Sequence, residues 1–120
     1  MADYLNVAAV MERWSPRFIS NGVPLADFRA AAEAITAMED WGPAGAARAE
    51  THEARGLAAL EAGNMISAGE HLQTAGVVYH FAKFIMVGDI DQMRGLHEKA
   101  VRCRNLALPH IDPPGERVEI

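Results

Sequence analysis

The sequence predicts an all-α protein, a bundle of about five helices, on three observations. Apolar residues recur three or four apart in successive segments of the chain. Glycine, proline, asparagine and aspartate cluster between those segments as turn signals. Only the last four residues alternate in the manner of a strand. The 120 residues suit one domain with a single sizeable core, and an apolar content of 50% places the chain with globular proteins.

Asp3 is placed to cap a first helix over Tyr4 to Arg13, and Trp14-Ser15-Pro16 is expected to end it, since the residue before a proline avoids helical geometry. Asn21-Gly22 marks the following turn. A second helix is expected from Pro24 or Leu25 to Glu39, with Leu25, Phe28, Ala32, Ile35 and Met38 in register. Trp41-Gly42-Pro43 is read as its break. The third helix then runs from Pro43, tolerated in a first turn, to Ala62, with Ala47, Ala54, Leu57 and Ala58 on one side. Trp14 and Trp41 are read as packing anchors at helix ends.

Gly63-Asn64 closes the third helix and opens a central one over 65–87, so the two should lie antiparallel in a tetratricopeptide-like hairpin, with Ala54, Ala58, Ala68 and Ala75 allowing close approach. Gly88-Asp89 repeats the device, with Asp89 as an amino-end cap for a last helix over Ile90 to Leu106, and Pro109 stops that helix. The tail changes character. Pro113-Pro114-Gly115 is a linker signal, and Arg117 to Ile120 read as the first strand of something beyond this bundle.

The central helix is the anomaly. At about 100° per residue, Ala68, Leu72, Ala75, Tyr79, Ala82 and Met86 form an ordinary core stripe. Nearly opposite lie Ile66, Val77, Phe81, Phe84 and Ile85, a second apolar face for which the expectation is a domain or partner interface supplied from outside these residues. Beside it Gly69, Gln73, Gly76, His80 and Lys83 form a small polar flank. Two readings stand: a ligand pocket bordered by this flank, or glycines for helix packing with His80 and Lys83 reaching water at the rim. The second is favoured, as is a core position for Tyr79 with one buried partner for its hydroxyl.

Composition excludes several classes. A formal charge of −5 argues against nucleic acid, and the basic residues Arg94, Lys99, Arg102 and Arg104 read as a solvated helix face. Cys103 is the lone cysteine, so no internal disulfide forms, and no stretch suits a membrane span or a leader; the expectation is cytoplasmic. No metal and no cofactor is expected. His52, His71, His80, His97 and His110 show no H-x-x-x-H pairing, and His52-Glu53 begins a zinc-protease motif that fails at Gly56. Neither a glycine-rich phosphate loop nor G-x-S-x-G occurs, the serines being Ser15, Ser20 and Ser67.

Glu53-Ala54, Ala58-Ala59-Leu60, Gly63-Asn64, Ser67-Ala68, and Ala75 with Tyr79-His80-Phe81-Ala82 resemble, in that order, the amino-terminal helical domain of α/β-hydrolases related to 2,6-dihydroxypseudooxynicotine hydrolase and the FrsA-like esterases. Trp41 and the closing Pro-Pro-Gly-Glu-Arg-Val-Glu-Ile fit as well, the latter resembling the lead-in to the first strand of the hydrolase core; Gly42-Pro43 stand where relatives commonly carry a second tryptophan a few residues on. The resemblance implies a helical cap over residues 1–108, with 109–120 as linker and start of a core domain outside this chain. It implies hydrolysis of carbon–carbon bonds beside a carbonyl, in aromatic ketone or polyketide-like substrates, or of esters, by a Ser-His-Asp triad. None of that triad maps here, so no catalytic residue is expected in this chain. The cap would shape a small-molecule pocket at the interdomain cleft, with Tyr79, His80 and Lys83 as candidate substrate contacts, and would also mediate a homodimer. Two rivals are a self-contained helical-repeat adaptor for a protein or peptide, and a small-ligand sensor with an enclosed cavity beside His80.

Overall fold

The computed structural model describes residues 7–84 and 88–120. Five α-helices follow in order: α1 (Val7–Ser20), α2 (Leu25–Ala34), α3 (Trp41–Glu61), α4 (Met65–Lys83) and α5 (Ile90–Ala107). Short 3-10 turns at Met38–Asp40 and Leu108–His110 complete the secondary structure. The protein is an all-α bundle, and no described helix is long and apolar enough to cross a membrane.

Helices α3, α4 and α5 run antiparallel in succession, with α4 in the middle. The register is visible at the glycines. A Cβ on Gly45 would lie 2.7 Å from that of Ala82, and one on Gly56 would lie 2.6 Å from Leu72 Cγ, so the early part of α3 meets the late part of α4. On the other side, Cβ atoms at Gly69 and Gly76 would meet the carbonyl oxygens of His110 and Ala100 at 2.6 and 3.3 Å. Gly63, at φ +80, supplies the left-handed residue that closes α3, and the Asp89 side chain accepts from Gln92 N at 3.0 Å to cap α5.

Four boundaries differ from expectation. Helix α1 passes through Pro16 and continues to Ser20, although an interior proline forfeits a hydrogen bond and costs about 3 kcal/mol. Packing offsets that cost: Phe18 is buried among Trp41, Phe81 and Phe84, with ring centroids 4.8–5.9 Å away. Helix α2 stops at Ala34 instead of Glu39, because Asp40 Oδ2 accepts from the Thr36 and Ala37 amides at 3.0 Å and from Thr36 Oγ1 at 2.9 Å, fixing a turn there. Trp41 opens α3 instead of ending α2; it is fully buried, and its Nε1 donates to the Phe81 carbonyl at 2.9 Å. No strand occurs among the described residues, and 114–120 have no regular secondary structure, the Gly115 amide donating back to the Leu108 carbonyl at 2.9 Å.

The expected face of α3 is also wrong. Ala54, Ala58 and Leu57 are exposed, and the buried stripe is Gly45, Ala49 and Gly56. Glycine brings the helix axes closer than alanine can. A change of one methyl group tests this. Gly45→Ala pushes a Cβ onto the Ala82 backbone and should cost about 1–3 kcal/mol in urea unfolding, whereas Gly95→Ala, with nothing within 4 Å of its added Cβ, should gain about 0.4–1 kcal/mol. Equal effects would contradict the close approach.

Candidate functional site

The part of α4's second apolar face around Phe81 is covered by its own chain. Phe81 is 1% exposed beneath Phe18, Phe28 and Trp41, and Phe84 is half-buried against Trp14 and Phe18. Val77 is half-buried beside Gly22, where α1 turns into α2. The inference of an external layer over Phe81 is therefore corrected: α1, carried past Pro16, supplies it. Of the expected interface residues, Ile66 is 77% exposed at the start of α4, and Ile85 lies outside the described residues.

Tyr79 is fully buried on the side of α4 toward α3. Its hydroxyl donates to Glu53 Oε1 at 2.7 Å, a single partner as expected, though one only partly buried. Glu53 Oε2 also accepts from Arg102 Nε at 3.2 Å, from Arg102 Nη2, and from the Cys103 thiol at 3.4 Å. One carboxylate thus ties α3, α4 and α5 together. Burial pushes the Glu53 carboxyl up, but the donors from Arg102, Tyr79 and Cys103 outweigh it and hold the group below the ordinary 4.5. Burial, then Glu53, pushes the Cys103 thiol up to about 12 and the Tyr79 phenol higher still, so both stay protonated as donors. A matching lock joins α2 to α3: buried Asp27 accepts from Arg48 Nε at 2.9 Å and pairs with His52 Nε2 at 2.7 Å. The residues of the failed zinc motif, His52 and Glu53, are these two locks.

His80 and Lys83 do come together with other polar groups, in a groove between α4 and α5. Its volume is about 640 Å³, and its α4 wall is Gln73, Gly76, His80 and Lys83 of the polar flank expected from the sequence, with Val77 of the apolar face beside them; Gly69 instead packs against His110. Its α5 wall is His97, Ala100, Val101, Arg104 and Asn105, with Asn21 at one end. Three of these, His97, Val101 and Asn105, also line a separate depression of about 570 Å³ along α5, completed by Glu98, Arg102 and Leu106. Both depressions are open, in contrast to the enclosed cavity a ligand sensor would need. Tyr79 does not reach either one.

The groove's electrostatics are one-sided. No Asp or Glu is among its described lining residues, in a chain of net charge −5. Lys83 Nζ donates to His97 Nδ1 at 2.7 Å, and an ammonium can only donate, so His97 carries its own proton on Nε2. Partial burial, then Lys83, His97 and Arg17, lowers the His80 pKa from 6.5. Arg17 stands over the rings of Trp14 and Phe84 at 5.4 and 5.5 Å. Arg104 is exposed, as the solvated-face reading expected, but the α5 wall it helps to form was not foreseen. The antiparallel turn at Gly88-Asp89 was the available signal, because residues at similar distances on either side of it, such as Gly76 and Ala100, face each other.

Among the described residues no His, Cys, Asp and Glu side chains group as a metal site. Compared with known proteins, the chain matches no family model, no curated protein and no solved structure.

Two titrations check these clusters. The folded-state pKa of Glu53 is lowered, so its stabilisation is complete above 4.5 and is lost as the pH falls through the lowered value. Glu53→Gln should cost about 1–3 kcal/mol near neutral pH and remove that part of the acid-side decline; an unchanged urea profile would exclude the lock. In proton NMR, His80 should titrate below 6.5, and Lys83→Met should raise its midpoint. A His80 midpoint at or above 6.5 would contradict the cationic surroundings.

Proposed function

We propose that this chain is the helical cap domain of a serine α/β-hydrolase that cleaves carbon–carbon bonds beside a carbonyl, in aromatic ketone or polyketide-like compounds, or esters. The single observation that carries the reading is the ordered resemblance from Trp41 through Tyr79-His80-Phe81-Ala82 to the closing Pro-Pro-Gly-Glu-Arg-Val-Glu-Ile. An all-α body is what such a cap requires. The tail is compatible with it: Val118 and Ile120 are exposed and alternate in sequence with Arg117 and Glu119, the pattern of a strand that could join a sheet. In this reading the Ser-His-Asp triad belongs to the core domain. The cap excludes water and narrows the choice of substrate, and the α4–α5 groove with His80 and Lys83 borders the interdomain cleft.

A second reading, a helical adaptor or self-associating module, rests on a different feature. Leu57, Met65 and Ile66 are 45%, 43% and 77% exposed near the turn between α3 and α4, an apolar tip available to a protein partner or a second copy.

The encoding reading frame discriminates the two. Beyond codon 120 it should specify further strands and G-x-S-x-G, and a stop codon immediately after Ile120 would overturn the cap reading. The 120-residue chain itself should show no turnover of a simple aryl ester; turnover that survives purification controls would show that the chemistry does not reside in a core domain.

A further inference from the structure

We propose that the groove between α4 and α5 binds an organic carboxylate, with its anionic head at Lys83, His80 and His97 and its apolar body along Val77 and Val101. The proposal concerns this chain's own groove and holds whether or not a hydrolase core is joined to it, so either reading can fail alone.

The charge distribution is the first argument. Lys83, His80 and His97 gather at one end of a groove whose described lining residues include no carboxylate. Lys83 is the permanent cation at this end and no carboxylate among the described lining residues offsets it, so an anion there gains an unopposed charge–charge attraction. The walls are the second argument. Between this end and Arg104 the lining is Val77, Ala100 and Val101, and Gly76 lets α5 approach closely enough to keep that stretch narrow. Arg104 lies beside Gly76, seven residues from Lys83, or about 10 Å along the helix axis. The groove therefore offers a charged end and an apolar middle about the length of an aromatic ring with a short side chain.

The head group follows from the donors. One ammonium and neutral imidazole N–H groups match two carboxylate oxygens sharing a single negative charge. A phosphate dianion would call for more permanent cations than Lys83 alone at that end. An uncharged amide of the same shape would leave the cluster uncompensated.

Phenylacetate, phenylacetamide and phenyl phosphate are suitable probes, titrated into the isotopically labelled 120-residue chain and followed by amide NMR shifts. Phenylacetate should give saturable shifts centred on Gly76, His80 and Val101, and phenylacetamide should give none at the same concentrations. Lys83→Met should weaken phenylacetate binding about tenfold, while Lys83→Arg, which keeps the charge, should retain most of it. Equal shifts with the amide, undiminished binding by Lys83→Met, tighter binding of phenyl phosphate, or shifts lying outside the groove would each overturn the proposal. Should Lys83→Met fail to fold, the comparison of the three probes on the unaltered chain still decides.

Discussion

The fold depends on how closely α4 is approached from both sides. Gly45 and Gly56 of α3 let that helix settle onto Ala82 and Leu72, and Gly69 and Gly76 of α4 let the last helix and the turn after it settle onto the opposite side. A helix squeezed between two neighbours has little solvent-facing side, which is why its composition is apolar nearly all round. The aromatic group of Trp14, Phe18, Phe28, Trp41, Phe81 and Phe84 then closes one end of the sandwich, each large buried ring contributing about 1.5–3 kcal/mol.

Apolar packing alone does not choose one arrangement of helices, and the buried polar contacts do so here. His52 and Glu53 are neighbours on α3, about 100° apart around its axis, and they reach different partners. His52 pairs with Asp27 of α2, while Glu53 collects donors from Tyr79 of α4 and Arg102 and Cys103 of α5. Sliding any of these helices by a turn would strand a buried carboxylate. The same locks keep Tyr79 turned away from the α4–α5 groove, leaving Gln73, His80 and Lys83 as the polar α4 side chains that line it.

Much of the architecture was legible in the sequence, and the failures have identifiable physical causes. Gly63 and Asp89 announced the two hairpin turns, because a left-handed residue and an amino-end cap are local requirements. The buried stripe of α3 was invisible to hydropathy, since glycine registers as neither apolar nor polar while it decides how near two axes can come. Pro16 was read as a terminator on local grounds, and tertiary burial of Phe18 overrode it. That one misreading led to the next: with α1 cut short, Phe81 had no cover and an outside partner had to be invoked. The polar flank Gln73, Gly76, His80 and Lys83 was legible as a strip on one helix. Its facing wall on α5 was not, because that wall is defined by the register of two helices and not by any motif.

The central claim is that α4 is enclosed by its own chain, so native-state hydrogen exchange tests it most directly. Amides in the middle of α4, around Leu72 to Ala82, should be the slowest in the protein, exchanging only on global unfolding, with protection independent of protein concentration. Faster exchange in α4 than in α3 or α5, or protection that rises with concentration, would mean that the helix needs a partner from outside the chain.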